Sequence, residues 1–437
     1  MKPGASAQER TAYGKSRRDS VSRSAHADLD PKDRRFDPLE VLRETEEGRV
    51  TELLPVRYER MKASPFAFFR GAAAIMAADL GRLPNSGLPA QLCGDAHVQN
   101  LGSFATPDGK LVFDLNDFDE SIRGPFEWDL KRMAASIVLA GGESGHDRAG
   151  SKSAAEAFAA RYCQAIGEFS RQPILEVARH AIHREKSVEP IHAALRQSQR
   201  GKPRDLLEKL AEPDHRGQPR FRDAKPVLWR IRGTKARQIL DSLAEYRENL
   251  AAERRHLFDL FHAVDVGFKV VGTGSVGLRD YVALFEGNGP GDPMFLQIKQ
   301  EAPSVYAKFL PEETYLHQGR RTAEGQRAIQ PMSDLLLGWT TIGQDQYLVR
   351  QLNDHKGSID LRRLRGDGLE SLALVAGELL ARGHARSGDA CAIYGYIGPG
   401  AKFGKALRDF ACRYADQTVA DYGAFVAAIK SRKIKAT

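Results

Sequence analysis

The sequence predicts an α+β fold whose helical and β-rich parts are segregated along the chain. From Pro38 to about Leu260 apolar residues recur mainly at helical spacing. From Val266 to Leu352 short β-rich runs take over, and from Leu369 the helical pattern returns. A chain of 437 residues has room for one large domain or two unequal ones. The expected division is a disordered basic tail over 1–35, a helical region over 36–260, a β-rich region over 261–356 and closing helices over 357–437.

In chain order, the first segment is rich in Ser, Lys, Arg and Asp, a composition that cannot bury enough surface to offset its ordering entropy. Ser64-Pro65 supplies an N-cap and a first-turn proline, and Phe66, Phe69, Ala73, Met76 and Leu80 then mark one apolar helix face. Arg57, Arg60 and Arg70 flank it and could reach phosphates, but are read in preference as surface ion-pairing residues. Phe126 to Ala140 reads as a buried helix, and Ser151 to about Leu260 as helical with a less ordered middle. Strands are expected at Phe268–Val271, Tyr281–Phe285, Met294–Ile298, Leu335–Thr341 and Tyr347–Leu352, with a helix over about Glu312–Gln330. Leu372, Val375 and Leu379 share a face of a later helix, and a last one spans about Thr418 to Lys430.

The formal net charge is +8, but Lys and Arg (65) barely exceed Asp and Glu (57) and are spread out, as on a mixed solvated surface. The best basic patch, Arg232 to Arg237, lacks interleaved aromatics, so nucleic acid is not expected as a partner. Cys93, Cys163, Cys391 and Cys412 form no CxxC pair, which argues against a zinc site or a disulfide framework. No apolar run approaches the roughly 18 residues that cross a bilayer, and no apolar leader is visible. A cytoplasmic location without membrane contact is the expectation.

The stretch from Gln91 to Arg132 holds the densest chemistry. Asp95, His97 and Asn100 fall in one short loop, Thr106-Pro107-Asp108-Gly109 marks a turn, and Leu111-Val112-Phe113 leads into Asp114, Asn116, Asp117, Asp119 and Glu120. Oxygen ligands of this kind suit Mg²⁺ or Mn²⁺. Much later, Gly272-Thr273-Gly274-Ser275-Val276-Gly277 lies between two strands with no helix after it, so a dinucleotide-binding turn fits poorly. A strand ending in Lys299 follows.

This pairing is similar to the small lobe of protein kinases, where a glycine-rich lid covers ATP and a third-strand lysine grips its phosphates. The resemblance implies ATP-binding roles for Gly272, Gly274, Ser275, Gly277 and Lys299. It also implies a helix glutamate to hold the lysine: Glu324, with Glu312 and Glu313 as rivals. Tyr347–Leu352 with Asn353 to Gly357 is the candidate adenine hinge. Gly94-Asp95-Ala96-His97 and Asn100 resemble the catalytic loop of aminoglycoside and choline phosphotransferases, with Asp117, Gly124 and Asp129-Leu130 following as in those families. That likeness implies Asp95 as the catalytic residue, Asn100 and Asp117 as metal ligands, Asp114 and Asp119 as alternates, and Asp129 as a brace of the loop.

Cys93 stands where those families usually have His, and the order is inverted: catalytic loop first, glycine loop second. A protein-kinase-like two-lobe fold is therefore expected to be circularly permuted. As a whole the chain closely resembles a bacterial family known as domain of unknown function 2252. Arg57 to Met61, Ser64 to Phe66, Cys93 to His97, Phe113 to Glu120 and His384 to Asp389 carry that likeness. The last segment is a rival catalytic candidate, read in preference as a helix end.

The expected function is an ATP- and Mg²⁺-dependent phosphotransferase acting on a small-molecule acceptor, with nucleotidyl transfer as a sibling chemistry. The alternatives are a catalytically silent nucleotide sensor and a metal-dependent hydrolase using the Asp95–Glu120 acids. Neither the acceptor nor an oligomeric state is encoded in a motif.

Overall fold

Alternation along the β-rich runs puts every second side chain against one core, and these runs pair into a single antiparallel sheet. Its order is Gly338–Ile342, Asp345–Gln351, Pro293–Gln300, Asp280–Glu286, His262–Lys269, Leu228–Ile231. The structure is a computed structural model and describes residues 4–183, 189–200, 203–311, 315–352 and 357–436.

One face of the sheet contributes Val266, Phe268, Tyr281, Ala283, Leu296, Ile298, Tyr347 and Val349 to a core closed by Ile239, Leu243, Tyr246 and Phe258. Because the period of a strand is two, Lys299 points to the opposite face from Ile298, together with Gln297. The helix Gln318–Ile329 follows the lysine strand and packs against the Asp345–Gln351 strand.

A larger core lies among the helices Glu127–Glu143, Arg148–Phe169, Gly368–Ser387, Ala390–Ile397 and Ala401–Lys430. Helix Gly368–Ser387 runs against Arg148–Phe169. The strands Pro89–Leu92 and Ile122–Pro125 pair antiparallel on this core, as do Leu101–Ala105 and Leu111–Leu115 around the turn at Gly109. Architecture is thus α+β with antiparallel sheets. Among the described residues no helix is long and apolar enough to cross a membrane.

Three local expectations change. Much of the expected disordered tail is ordered: helix Ala7–Ser20 starts with a reciprocal Ser6–Glu9 capping box. Its Gly14 packs so closely on Ala392 that a Cβ there would sit 1.8 Å from the Ala392 carbonyl oxygen. The composition argument fails because docking here uses few apolar groups. Arg18 donates to the carbonyls of Gly395 (2.5 Å) and Tyr396 (2.7 Å), and Arg23 to that of Ile397 (3.0 Å), satisfying a helix C-terminus.

The apolar face from Phe66 to Leu80 belongs to two helices, Pro65–Gly71 and Ala73–Leu80, broken where Ala72 leaves helical geometry (φ −120°, ψ 36°). The Gly71 carbonyl is taken by Arg57 Nη2 at 3.1 Å, an interaction available to it at a helix end. The region Ser151–Leu260 is less purely helical than its pattern, since Leu228–Ile231 forms the edge strand of the large sheet.

Candidate functional site

Strand Pro89–Leu92 delivers the chain into the loop carrying Asp95, His97 and Asn100. The Asp129 carboxylate holds this loop by accepting from the backbone N–H of Cys93 (2.8 Å) and of Gly94 (3.0 Å). These two bonds support the loop's backbone; the Cys93 thiol is buried, and burial reinforced by Asp129 pushes its pKa well up. Gly94 has φ +85°, and a Cβ there would lie 2.1 Å from the Glu120 carbonyl oxygen, so only glycine lets the two acidic loops meet.

Arg132, fully buried, donates through Nε to Asp95 Oδ1 at 2.7 Å and lies with its guanidinium carbon 3.7 Å from the centre of the Phe69 ring. Asp95 Oδ2 is 3.7 Å from His97 Nε2. Burial, opposed by Asp95 and aided by Arg70 and Arg132, pushes the His97 pKa down to about 4, so the imidazole is neutral at ordinary pH. Asn100 Nδ2 donates to the Asp95 carbonyl at 2.8 Å.

On the other side, Lys299 emerges from the sheet buried and ion-pairs with Asp119, with Asp117 Oδ1 at 3.8 Å. Burial alone would lower the lysine, but Asp117, Asp119 and Glu301 outweigh it and raise its pKa. Glu301 lies two residues beyond Lys299; burial, then Asp119, raises its carboxyl well above the usual range. One lysine thus faces three carboxylates.

Asp95, Asn100, Asp117, Asp119, Glu301, Gly272 and Gly274 line a cavity of about 1270 Å³, which Lys299 meets through its pair with Asp119. Ser275 lines it too. Gly277 anchors the glycine loop from behind: its carbonyl accepts from Val50 N–H at 2.7 Å, and Arg49 Nη1 donates to the Val276 carbonyl at 2.5 Å.

Two expected site residues are elsewhere. Asp114 is buried and accepts from Arg382 Nη2 at 2.5 Å, held within its strand and away from the cavity lining. Glu324 is exposed and pairs with Arg320 at 2.8 Å rather than with Lys299. Its helix buries Thr322, Gln326 and Ile329, a stripe at spacings four and three, which turns Glu324 to the opposite side. The position expected of Glu324 is filled by other groups. Arg321 donates to the carbonyls of Asp119 (2.7 Å) and Ala302 (2.9 Å), tying the helix to the acidic loop, while Glu301 faces the lysine. The rivals Glu312 and Glu313, and the hinge residues Asn353 to Lys356, lie outside the described residues.

The surface ion-pairing preferred for Arg57, Arg60 and Arg70 is not what the structure shows. Arg57 and Arg70 line the cavity, Arg57 being 1% exposed, and Arg60 donates to the Gly272 carbonyl; none of the three forms an ion pair among the described residues. The helical break at Ala72 hides this in the periodicity, though the clustering of arginines before the glycine-poor Asp95 loop was a visible signal. His384, by contrast, stands in the core between Tyr162 (Nδ1 to hydroxyl 2.9 Å) and Asp129 (Nε2 to Oδ2 3.5 Å), and Asp389 caps the helix Ala390–Ile397.

The family described as "Uncharacterized protein conserved in bacteria (DUF2252)" matches residues 49–428. The chain belongs to DUF2252. No curated protein and no solved structure was found to match it. The DUF2252 match spans both acidic loops, the glycine loop and the lysine strand, so the whole cavity except the lining between Val41 and Gly48 falls within it.

Among the described residues no three or more His, Cys, Asp or Glu are grouped to hold a metal by themselves. The donor set of Asp117 and Asn100 nonetheless fits Mg²⁺, which is commonly held by one or two protein oxygens together with substrate phosphates and water.

Proposed function

We propose that this DUF2252 chain is an ATP- and Mg²⁺-dependent phosphotransferase with a kinase-like, circularly permuted organisation, acting on a small-molecule acceptor. The supporting observation is that Lys299 and Asp119, 180 residues apart, are ion-paired beside a cavity that Asp95, Asn100 and the glycine loop also line. A lysine on the third strand of the group that starts at His262, with a glycine turn between the first two and a helix after the third, is the arrangement that grips nucleotide phosphates.

In this reading Lys299 holds the phosphates, and the glycine-loop backbone lies over them. Asp95, with Oδ1 fixed by Arg132, uses Oδ2 to accept the acceptor's hydroxyl proton. The neutral His97 adds no second cation to that already supplied by Arg132. The acceptor oxygen bonds to the γ-phosphorus as the bond from γ-phosphorus to the bridging oxygen breaks, and ADP leaves with that electron pair. Asp117 and Asn100 would hold Mg²⁺, which when bound neutralises phosphate charge.

Thermal unfolding of the full chain with and without Mg-ATP tests this. Mg-ATP at about one hundred times its dissociation constant should add about 2.7 kcal/mol of stability. The shift should vanish in Asp117→Ala and Lys299→Ala. A shift with Mg²⁺ or Mn²⁺ alone that needs Asp117 and ignores Lys299 would overturn the proposal in favour of a metal-dependent hydrolase. Binding that survives in Asp95→Asn, with no phosphate transfer by the parent protein to any hydroxylated compound tried, would favour a sensor.

A further inference from the structure

The cavity wall carries three guanidiniums that the proposed transfer does not use. Arg49, Arg57 in helix Leu54–Lys62 and Arg70 at the end of helix Pro65–Gly71 all line the cavity. Each is held by neutral groups or by none. Arg49 donates to the carbonyls of Thr45 and Val276, and Arg57 to the Thr45 hydroxyl (2.9 Å) and the Gly71 carbonyl (3.1 Å). Arg57 Nε and Nη1 and Arg70 Nε are buried and find no hydrogen-bond partner among the described residues. Nor does any carboxylate there stand within ion-pair distance of the three.

Burial without an ion-paired partner disfavours a cation: burial, then Arg57, pushes the Arg49 pKa down to about 9, and burial lowers Arg57 and Arg70. Arg70 shares the cavity lining with Asp95 and Asp117, which with Glu143 are its strongest charged neighbours. The tip of the glycine loop rests on it, with a Cβ on Gly274 falling 3.3 Å from the Arg70 carbonyl oxygen. Guanidiniums are the groups that clasp phosphate or carboxylate through paired donors.

We propose that Arg70, backed by Arg57 and Arg49, forms an anion subsite on the Asp95 side of the cavity, so that the acceptor carries a phosphate or carboxylate besides its reacting hydroxyl. The word acceptor rests on the phosphotransferase reading; the anion subsite itself does not.

The test titrates glycerol 3-phosphate, glycerate and glycerol into the full chain saturated with Mg²⁺ and a non-hydrolysable ATP analogue, which occupies the γ-phosphate position. An anionic member should bind at least about tenfold tighter than glycerol. Arg70→Gln should erase that preference, and Arg70→Lys should keep part of it. The stronger of the two anions names the source of the charge. Equal binding of all three compounds, an anion preference that persists in Arg70→Gln, or displacement of the ATP analogue by the anion would overturn the proposal. Displacement would assign the arginines to the nucleotide's own phosphates.

Failure of the ATP analogue to bind removes the phosphotransferase reading alone. Inorganic phosphate is then titrated without nucleotide, where binding lost in Arg70→Gln upholds the subsite and binding indifferent to it does not. Arg70 is half-buried at a helix end, and its variants are checked by circular dichroism.

Discussion

Lys299 and Asp119 are joined in an ion pair although 180 residues separate them, and the lysine is only 4% exposed. The pair is the seam between the large sheet and the acidic loop. Lys299→Met leaves Asp117, Asp119 and Glu301 facing one another and should cost about 3–5 kcal/mol. Adding Asp119→Leu should recover part of that loss, which urea titration of the two single variants and the double variant would reveal. Strict additivity would show that the two side chains are not coupled.

Asp114 and Asp117 separate structure from ligand binding. Asp114→Asn strands the fully buried Arg382 and should destabilise by about 3–5 kcal/mol while leaving the Mg-ATP affinity of the folded protein intact. Asp117→Asn, at a side chain 37% exposed, should cost under about 1 kcal/mol yet abolish Mg-ATP binding. Calorimetric titration beside urea unfolding distinguishes the two.

Burial pushes the Glu120 carboxyl up to about 7 from 4.5, with the Val305 N–H opposing. The folded chain therefore binds more protons than the unfolded one between those values. Its contribution to stability is present below about 4.5 and is lost as pH rises to about 7. Glu120→Gln should match the parent's melting temperature near pH 4 and exceed it at pH 8. An advantage that is constant across this range would assign the effect to packing instead.

Arg34 lies in the segment whose composition reads as disordered, yet it bridges Asp79 and Asp421, each less than a tenth exposed. Arg34→Ala should cost about 3–5 kcal/mol by leaving two buried carboxylates together. A residue in an unordered tail would give no change in the urea midpoint.

The α+β division, four of the five expected strands (the first, expected at Phe268–Val271, runs instead over His262–Lys269) and the meeting of Asp95, Asn100 and Asp117 around one cavity, with Lys299 paired to Asp119 at its edge, were legible in the sequence. Periodicity reports which faces are apolar, and polar residues packed into short loops between apolar runs mark a site. Partner choice was not legible. Asp114 chooses Arg382 and Glu324 chooses Arg320 because helix rotation and strand facing decide what each can reach. The order of residues 4–35 depends on arginines meeting helix-end carbonyls far along the chain, which local composition does not encode.

The Asp114–Arg382 pair has a consequence for biosynthesis. The aspartate leaves the ribosome 268 residues before its arginine. At about 5–20 residues per second, that is a wait on the order of tens of seconds. Until helix Gly368–Ser387 arrives, the hairpin bearing the acidic loop has no cover for its buried charge. A nascent chain stopped short of that helix would hold every motif of the cavity and still lack the support that keeps them in register. Premature termination late in the message should therefore yield a product cleared by proteases rather than a weakened form of the protein.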